Sequence, residues 1–307
     1  MIQKTASNTT NGAFELNTGG HIPAIGFGTW KSKPEDAYIS VKTALQVGYR
    51  HIDTAFNYGN EAEVGKAIKD SGVPRDEIFL TTKLWSTYHT RVAENLELSL
   101  QRLGVDYIDL YLVHWPVAMN PHGTPPMFPL LPDGTRDLQH DRHFAATWRD
   151  LEALQSTGKV RAIGVANFDV HNLEVLRKEC TVTPAVNQVE LHPYLQQRKL
   201  KKYCKERGIH VTAYSPLGST DSPLKTEGVV KDIAAEHSCD PCAVLLAWAL
   251  QSGHSVIPKS ITPSRIKSNL QADSLTLSEE DTRKIDQLEK GQRYCNPPWG
   301  VTVFHDE

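Results

Sequence analysis

No apolar run in the 307 residues approaches the ~20 needed to cross a bilayer. The opening MIQKTASNTT is polar and has no apolar core of the kind a secretory signal carries. Membrane insertion and secretion are therefore not expected, and the cytoplasm is the expected location. An excess of one charge is also lacking. Lys and Arg total 33 against 36 Asp and Glu, a formal net charge of -3, which gives no electrostatic reason to expect nucleic acid or an anionic membrane as partner. Cysteine is scarce: five residues, an odd number at uneven spacing, do not make a disulfide framework and fit a reducing compartment. The run Cys239-Asp-Pro-Cys242 lacks the second CxxC or His pair of a zinc site, and Pro241 suits the first turn of a helix, so its reading is structural. Repeats, low-complexity tracts and linkers are absent, and a single domain over residues 1–307 is expected.

What is present is alternation. Apolar strand-like runs fall at 25–30, 49–54, 78–83, 107–113, 160–165, 185–190, 209–214 and 255–258. Helical patterns lie between them, near 34–47, 61–71, 90–103, 144–157, 170–179, 197–207, 241–252 and 262–271. Val92, Leu96, Leu100 and Leu103 form one clear stripe at helical spacing. Eight such units imply right-handed crossovers and a closed (β/α)8 TIM barrel in the α/β class. An open doubly wound sheet would be expected to carry a GxGxxG after an early strand, and the nearest approach is the bare Gly26-Phe27-Gly28. Two short apolar stretches flank Asn17-Thr18-Gly19-Gly20, predicting an N-terminal β-hairpin that plugs one end. Two helices are added to the barrel, one around 227–237 and one opening at Ser278 with a capping box to Asp281. A long Pro- and Gly-rich loop over 115–143 follows strand four, and loops of that length in a compact domain are usually functional or disordered. It emerges at the C-terminal face, where barrels keep their chemistry.

Three strand ends carry the chemistry. The stretch GYRHIDTAFNYGNEAEVG, residues 48–65, places Asp53 at a strand end and Tyr58 in the turn beyond. Strand three ends in Thr-Thr-Lys83-Leu-Trp85, and strand four in Val-His114-Trp115-Pro. Registered together, Asp53, Tyr58, Lys83 and His114 arrive at one rim. A lysine buried there needs a partner, and Asp53 supplies it. A tyrosine has an ordinary pKa near ~10, and a neighbouring ammonium favours the phenolate and lowers that value. With His114 to orient a ligand, the set makes an acid/base suited to a carbonyl or alcohol oxygen. At the end of strand eight, Ile257-Pro-Lys259-Ser260 precedes a helix bearing Arg265 and Asn269. This is either an anion site at a helix N-terminus or a set of solvated helix charges.

The pattern GYRHIDTA-x5-E-x2-VG, with Lys83 in TTKLW and His114 in LVHWP, resembles the aldo-keto reductase superfamily over essentially the whole chain. The resemblance implies hydride transfer between a nicotinamide and a carbonyl carbon without a metal. Tyr58 would be the proton donor, Lys83 its pKa modulator, Asp53 the partner of Lys83, and His114 the substrate-orienting group. It further implies NADP(H) as cofactor. Lys259, Ser260 and Arg265 would hold the 2'-phosphate and Asn269 the adenine. Asn167 and Gln188 would hold the carboxamide, Tyr214 would stack on the ring, and Leu217 and Ser219 would touch the pyrophosphate, with Thr29, Trp30 and Ser215 completing the site. Two positions depart from the family pattern. Ala166 replaces the usual serine, removing one carboxamide hydrogen bond, and Ser268 stands where many relatives carry an acid beside Asn269.

For substrate, Trp30, Trp85 and Trp115 match aromatic wall positions, and Trp299 from the tail closes the site. Asn57 is polar where several relatives are aliphatic, which suits a hydroxylated molecule. The loop after strand four is similar to that of fungal glycerol/glyceraldehyde-type NADP-dependent reductases. The expected partner is thus a small carbonyl or alcohol, glyceraldehyde-like or a polyol such as glycerol, acted on by a monomer. The rival from another class is a non-catalytic nicotinamide-nucleotide-binding regulatory subunit. A Schiff-base isomerase or aldolase using Lys83 is a third reading.

Overall fold

The computed structural model describes residues 12–220 and 222–305. The polar opening residues 1–11, Asp221 and the acidic pair Asp306-Glu307 lie outside the described residues. At the N-terminal end, β1 (Ala13–Glu15) and β2 (His21–Pro23) pair antiparallel with Phe14 opposite Ile22, forming the expected hairpin. Phe14, Leu16 and Ile22 are buried, and the Phe14 ring lies 4.9 Å from that of His210, so the hairpin closes the bottom of the barrel.

The staves of the barrel are β3 (Phe27–Gly28), β4 (His51–Asp53), β5 (Phe79–Leu84), β6 (Ile108–Val113), β7 (Val160–Ala166), β8 (Val186–Glu190), β9 (His210–Tyr214) and β10 (Ser255–Val256). They are parallel and neighbour one another in chain order. Closure comes from a parallel bridge of Ile25 with Val256, with Gly26 N donating to Val256 O at 2.8 Å and Gly28 N to Pro258 O at 3.1 Å. Gly28 permits that approach, since a Cβ there would lie 2.8 Å from Ile257 O. Every residue of β6 is buried, as expected where helices cover one face of a strand and the barrel interior the other.

Around the staves run α1 (Pro34–Val47), α2 (Glu61–Ser71), α3 (Val92–Leu103), α4 (Phe144–Leu154), α5 (Val170–Glu179), α6 (Arg198–Glu206), α7 (Gly228–Glu236), α8 (Pro241–Gln251), α9 (Pro263–Leu270) and α10 (Glu279–Asp286). The predicted stripe of α3 is buried, and cutting Leu96 back to alanine would cost about 2–5 kcal/mol. The capping box at Ser278 forms as expected, Ser278 Oγ accepting from Asp281 N at 3.1 Å while Ser278 N donates to Asp281 Oδ2 at 3.0 Å. Asp240 caps α8 by accepting from Cys242 N at 2.7 Å, which accounts for the spacing of Cys239 and Cys242 structurally; both thiols are free and pushed up by burial. Gly48 ends α1 at φ 115°, in the left-handed region, and turns the chain directly into β4. Among the described residues no helix is long and apolar enough to cross a membrane.

Candidate active site

Alternation along the staves decides which side chains reach the barrel mouth. In the parallel register Asp53 lies opposite Thr81, and Lys83 opposite Leu112, so Lys83 starts two residues farther along its stave than Asp53's partner and reaches back. Its Nζ donates to Asp53 Oδ1 at 2.7 Å and to the Thr54 carbonyl at 2.8 Å, and lies 3.4 Å from the Tyr58 hydroxyl. Tyr58 is presented by a 3-10 turn over Phe56–Tyr58 between β4 and α2, where Gly59 at φ 69° ends the turn. His114 follows β6, its ring 5.7 Å from that of Tyr58 and 5.4 Å from that of Trp85. The four side chains expected at one rim are thus brought together.

Burial sets the electrostatics. It pushes the Asp53 carboxyl up and the Lys83 ammonium down, and their mutual attraction opposes both shifts and holds the pair ionised. Gln188 Nε2 adds a 2.7 Å hydrogen bond to Asp53 Oδ2. Burial, with Asp53 and Cys295 acting in the same direction, drives the Tyr58 phenol well above its ordinary value. This differs from the sequence expectation of a phenol made acidic by lysine. Lys83's charge is largely answered by Asp53, so desolvation of the phenolate wins and Tyr58 stands as a protonated acid. Burial and the neighbouring Lys83 push His114 well below its ordinary value, leaving a neutral imidazole.

These groups open into a cavity of about 610 Å³. Trp30, Asn57, Trp85, Trp115 and Trp299 line it, as do Asn167, Gln188, Tyr214, Ser215, Leu217, Ser219 and Lys259. Trp30 is 44% exposed and leans on Tyr58 at 4.7 Å between ring centroids, forming part of the rim. Asn167 donates to the His114 carbonyl at 2.9 Å and accepts from Tyr214 OH at 2.8 Å. Thr29 stands behind the wall with its hydroxyl on the Asp53 carbonyl at 3.1 Å. Ser260, Arg265 and Asn269 lie on and before α9, beyond Lys259 and outside the cavity lining; Arg265 is exposed and Asn269 buried.

Several residues at the site carry no signal in their local sequence. Glu190, two positions after Gln188 and so on the same face of β8, accepts from the backbone amides of Tyr294 and Cys295, each at 2.7 Å. Asn172 donates to the Val303 carbonyl at 3.1 Å, and Asp169 meets His305 Nδ1 at 2.9 Å. These contacts lay the C-terminal tail over the mouth, so that Tyr294, Cys295 and Trp299 become cavity wall. Phe128 and Arg136 come from the long loop, which is organised by an antiparallel bridge between Leu130 and Arg136.

The model of the Aldo/keto reductase family matches residues 24–290. This chain belongs to that family. It is 49% identical over 294 residues to glycerol 2-dehydrogenase (NADP(+)) of Saccharomyces cerevisiae, spanning 92% of this chain and 94% of that protein. It is 47% identical over 299 residues to D-galacturonate reductase of Hypocrea jecorina, spanning 94% and 96% respectively. Among solved structures, the aldose reductase from Schistosoma japonicum superposes with a TM-score of 0.88 at 37% identity, covering 92% of this aldo/keto reductase and 94% of that chain. The sequence resemblance and the barrel expectation are both borne out.

Proposed function

We propose that this aldo/keto reductase converts small aldehydes to alcohols with NADPH, or runs the reverse oxidation on a polyol, with Tyr58 as the acid/base. The observation that carries the reading is the line from Asp53 through Lys83 to Tyr58, ending at a cavity that His114 also faces. Tyr58, protonated by burial, gives its hydroxyl proton to the carbonyl oxygen as that oxygen gains charge. The phenolate left behind lies beside the Lys83 ammonium, which stabilises it, while Asp53 keeps that ammonium charged and aimed. Neutral His114 orients the carbonyl. In the oxidation direction the phenolate takes the alcohol proton instead.

The cavity fits a dinucleotide. Along with Tyr58 it is lined by Tyr214, Ser215, Leu217, Ser219, Lys225 and Lys259. Asn167, Ser215 and Ser219 hold left-handed backbone at φ 63°, 47° and 66°, a conformation that in residues other than glycine clusters at ligand sites. When bound, NADPH supplies the hydride. Asn167, Gln188 and Tyr214 would hold the ring end and Lys259, Ser260 and Arg265 the 2'-phosphate, with Asn269 toward the adenine. Preference for NADPH over NADH is supported by these cations and by the name of the yeast relative. Ser268 carries no charge toward Asn269, and Ala166 offers no hydroxyl to the carboxamide.

The Schiff-base reading is disfavoured because the Lys83 amine is already held by Asp53 and Thr54. The same proposal takes the protein as cytoplasmic, which its five free cysteines support, and as a monomer, which sedimentation tests. The deciding experiment is steady-state NADPH consumption over glyceraldehyde and other aldehydes, with glycerol and NADP+ for the reverse. Tight NADPH binding without turnover of any substrate would return the regulatory-subunit reading. Lys259→Ala is expected to raise the KM for NADPH about tenfold, the worth of one charged hydrogen bond, and to leave that for NADH unchanged.

A further inference from the structure

Among the described residues the cavity wall carries four cations without a covalent role in the chemistry above, Lys31, Arg136, Lys225 and Lys259, and a single carboxylate, Asp53, which Lys83 already neutralises. Three of the cations follow β3, β9 and β10, on the side where the dinucleotide fits. Arg136 stands apart, on the loop after β6. Its guanidinium packs 5.4 Å from the Phe128 ring centroid; Phe128 lies 5.1 Å from Trp85, Trp85 5.4 Å from His114, and His114 5.7 Å from Tyr58. A continuous aromatic wall therefore joins the proton donor to this arginine along the substrate side.

Arg136 has no acid among the described residues to answer it. Among the described residues it forms no ion pair, Nε is buried without a hydrogen-bond partner, and Nη1 makes one long bond of 3.4 Å to the Phe128 carbonyl. The acids beside it are engaged elsewhere: Asp137 accepts from Asn120 Nδ2 at 2.8 Å, and Asp133 from Thr135 N at 2.9 Å and Thr135 Oγ1 at 2.6 Å. Its backbone is held by the Leu130 bridge and by Asp137 N donating to Pro129 O at 3.1 Å. A half-buried guanidinium on a fixed loop, facing a ligand cavity and short of acceptors, is suited to a carboxylate, which it binds through two parallel N–H bonds.

We propose that Arg136 is a specificity-determining residue that receives a carboxylate at the far end of the substrate, and that the preferred substrates are hydroxylated aldehydes ending in an acid rather than neutral ones. The wall beside it suits the remainder of such a molecule. Asn57 Oδ1 and Trp299 Nε1, an acceptor and a donor, also lack partners and belong to cavity-lining side chains. The proposal rests on the carbonyl-reductase reading and narrows its substrate class.

The test compares D-galacturonate with D-galactose, which differ only in carrying a carboxylate or a hydroxymethyl group at the end remote from the aldehyde. kcat/KM with NADPH is measured for both, and for glyceraldehyde, in the parent protein, Arg136→Met and Arg136→Lys. The parent is expected to favour D-galacturonate at least about tenfold. Arg136→Met should lose about 10- to 100-fold on it, the range for a hydrogen-bonded charge pair, and change little on D-galactose, whose turnover also reports that the variant is folded. Arg136→Lys should recover part of the loss. A parent without preference for the acid, or an Arg136→Met that depresses both sugars alike, overturns the assignment of Arg136. No turnover of D-galacturonate, D-galactose or glyceraldehyde by the parent would instead overturn the reductase reading beneath it.

Discussion

Gln188 on β8 donates to Asp53 on β4, 2.7 Å across the barrel mouth between staves four apart in the sheet. The carboxylate of Asp53 is thereby held from both sides, by Lys83 on one oxygen and Gln188 on the other. Gln188 thus braces the charged pair in addition to any contact with a ligand. Gln188→Leu leaves Asp53 Oδ2 without its donor, at a cost of about 1–3 kcal/mol. The expected outcome is a lower Tm for the cofactor-free protein together with a reduced kcat. An unchanged Tm would mean that Gln188 serves only the ligand.

Tyr58 and Lys83 should separate when stability and turnover are measured together. Tyr58→Phe deletes an acid and leaves Asp53 and Lys83 paired, so aldehyde reduction should fall about 10²- to 10⁴-fold with the NADPH Kd and Tm nearly unchanged. Lys83→Met leaves Asp53 buried and unpaired, which costs about 3–5 kcal/mol. That variant should lose both turnover and thermal stability. Near-parental turnover in Tyr58→Phe would remove Tyr58 from its role.

The pH dependence of the two directions should be opposite. Burial raises the Tyr58 phenol, so the acid stays protonated through neutrality. Reduction should therefore stay level from about pH 6 to about pH 9 and decline only as the phenol ionises beyond its ordinary value near ~10. Oxidation needs the phenolate and should climb over the same interval. kcat profiles for aldehyde and alcohol check this, and a reduction rate already falling below neutrality would contradict it.

Acid should destabilise the fold through its buried imidazoles. Burial lowers His51 to about 3, His89 to about 3 and His210 to about 4, from an ordinary 6.5. Below 6.5 the unfolded chain takes up protons that these native histidines refuse, so the stability present above that pH is lost as pH falls toward 4. Each site contributes roughly 1.4 kcal/mol per pH unit in that window. Thermal melts between these limits should show Tm dropping steadily, and a flat profile would mean that the rings charge within the fold.

Much of this was legible without coordinates. Strand and helix periods depend on which residues are apolar at spacings of two and of three or four, and each predicted stave and helix forms within a few residues of its expected place. Asp53, Lys83 and His114 were legible for the same reason, because a polar side chain ending an apolar parallel strand has only the barrel mouth to occupy. Tyr58 was legible from its place one turn beyond Asp53.

The sense of the Tyr58 shift was not legible. Attraction to Lys83 was inferred from adjacency, but desolvation depends on everything packed around the phenol, and Cys295, from a tail more than two hundred residues away, adds a charge effect in the same direction. Arg136 and Glu190 were hidden for a related reason: an arginine in a polar loop and an acid on a strand acquire meaning only from what stands opposite them. Local spacing alone therefore determined the staves, the helices and the charged rim, since these follow from backbone geometry and the need to bury apolar faces. Three-dimensional packing decided which charges are answered by a partner and which line the cavity unanswered, because dielectric environment and partner are properties of a neighbourhood assembled from distant parts of the chain.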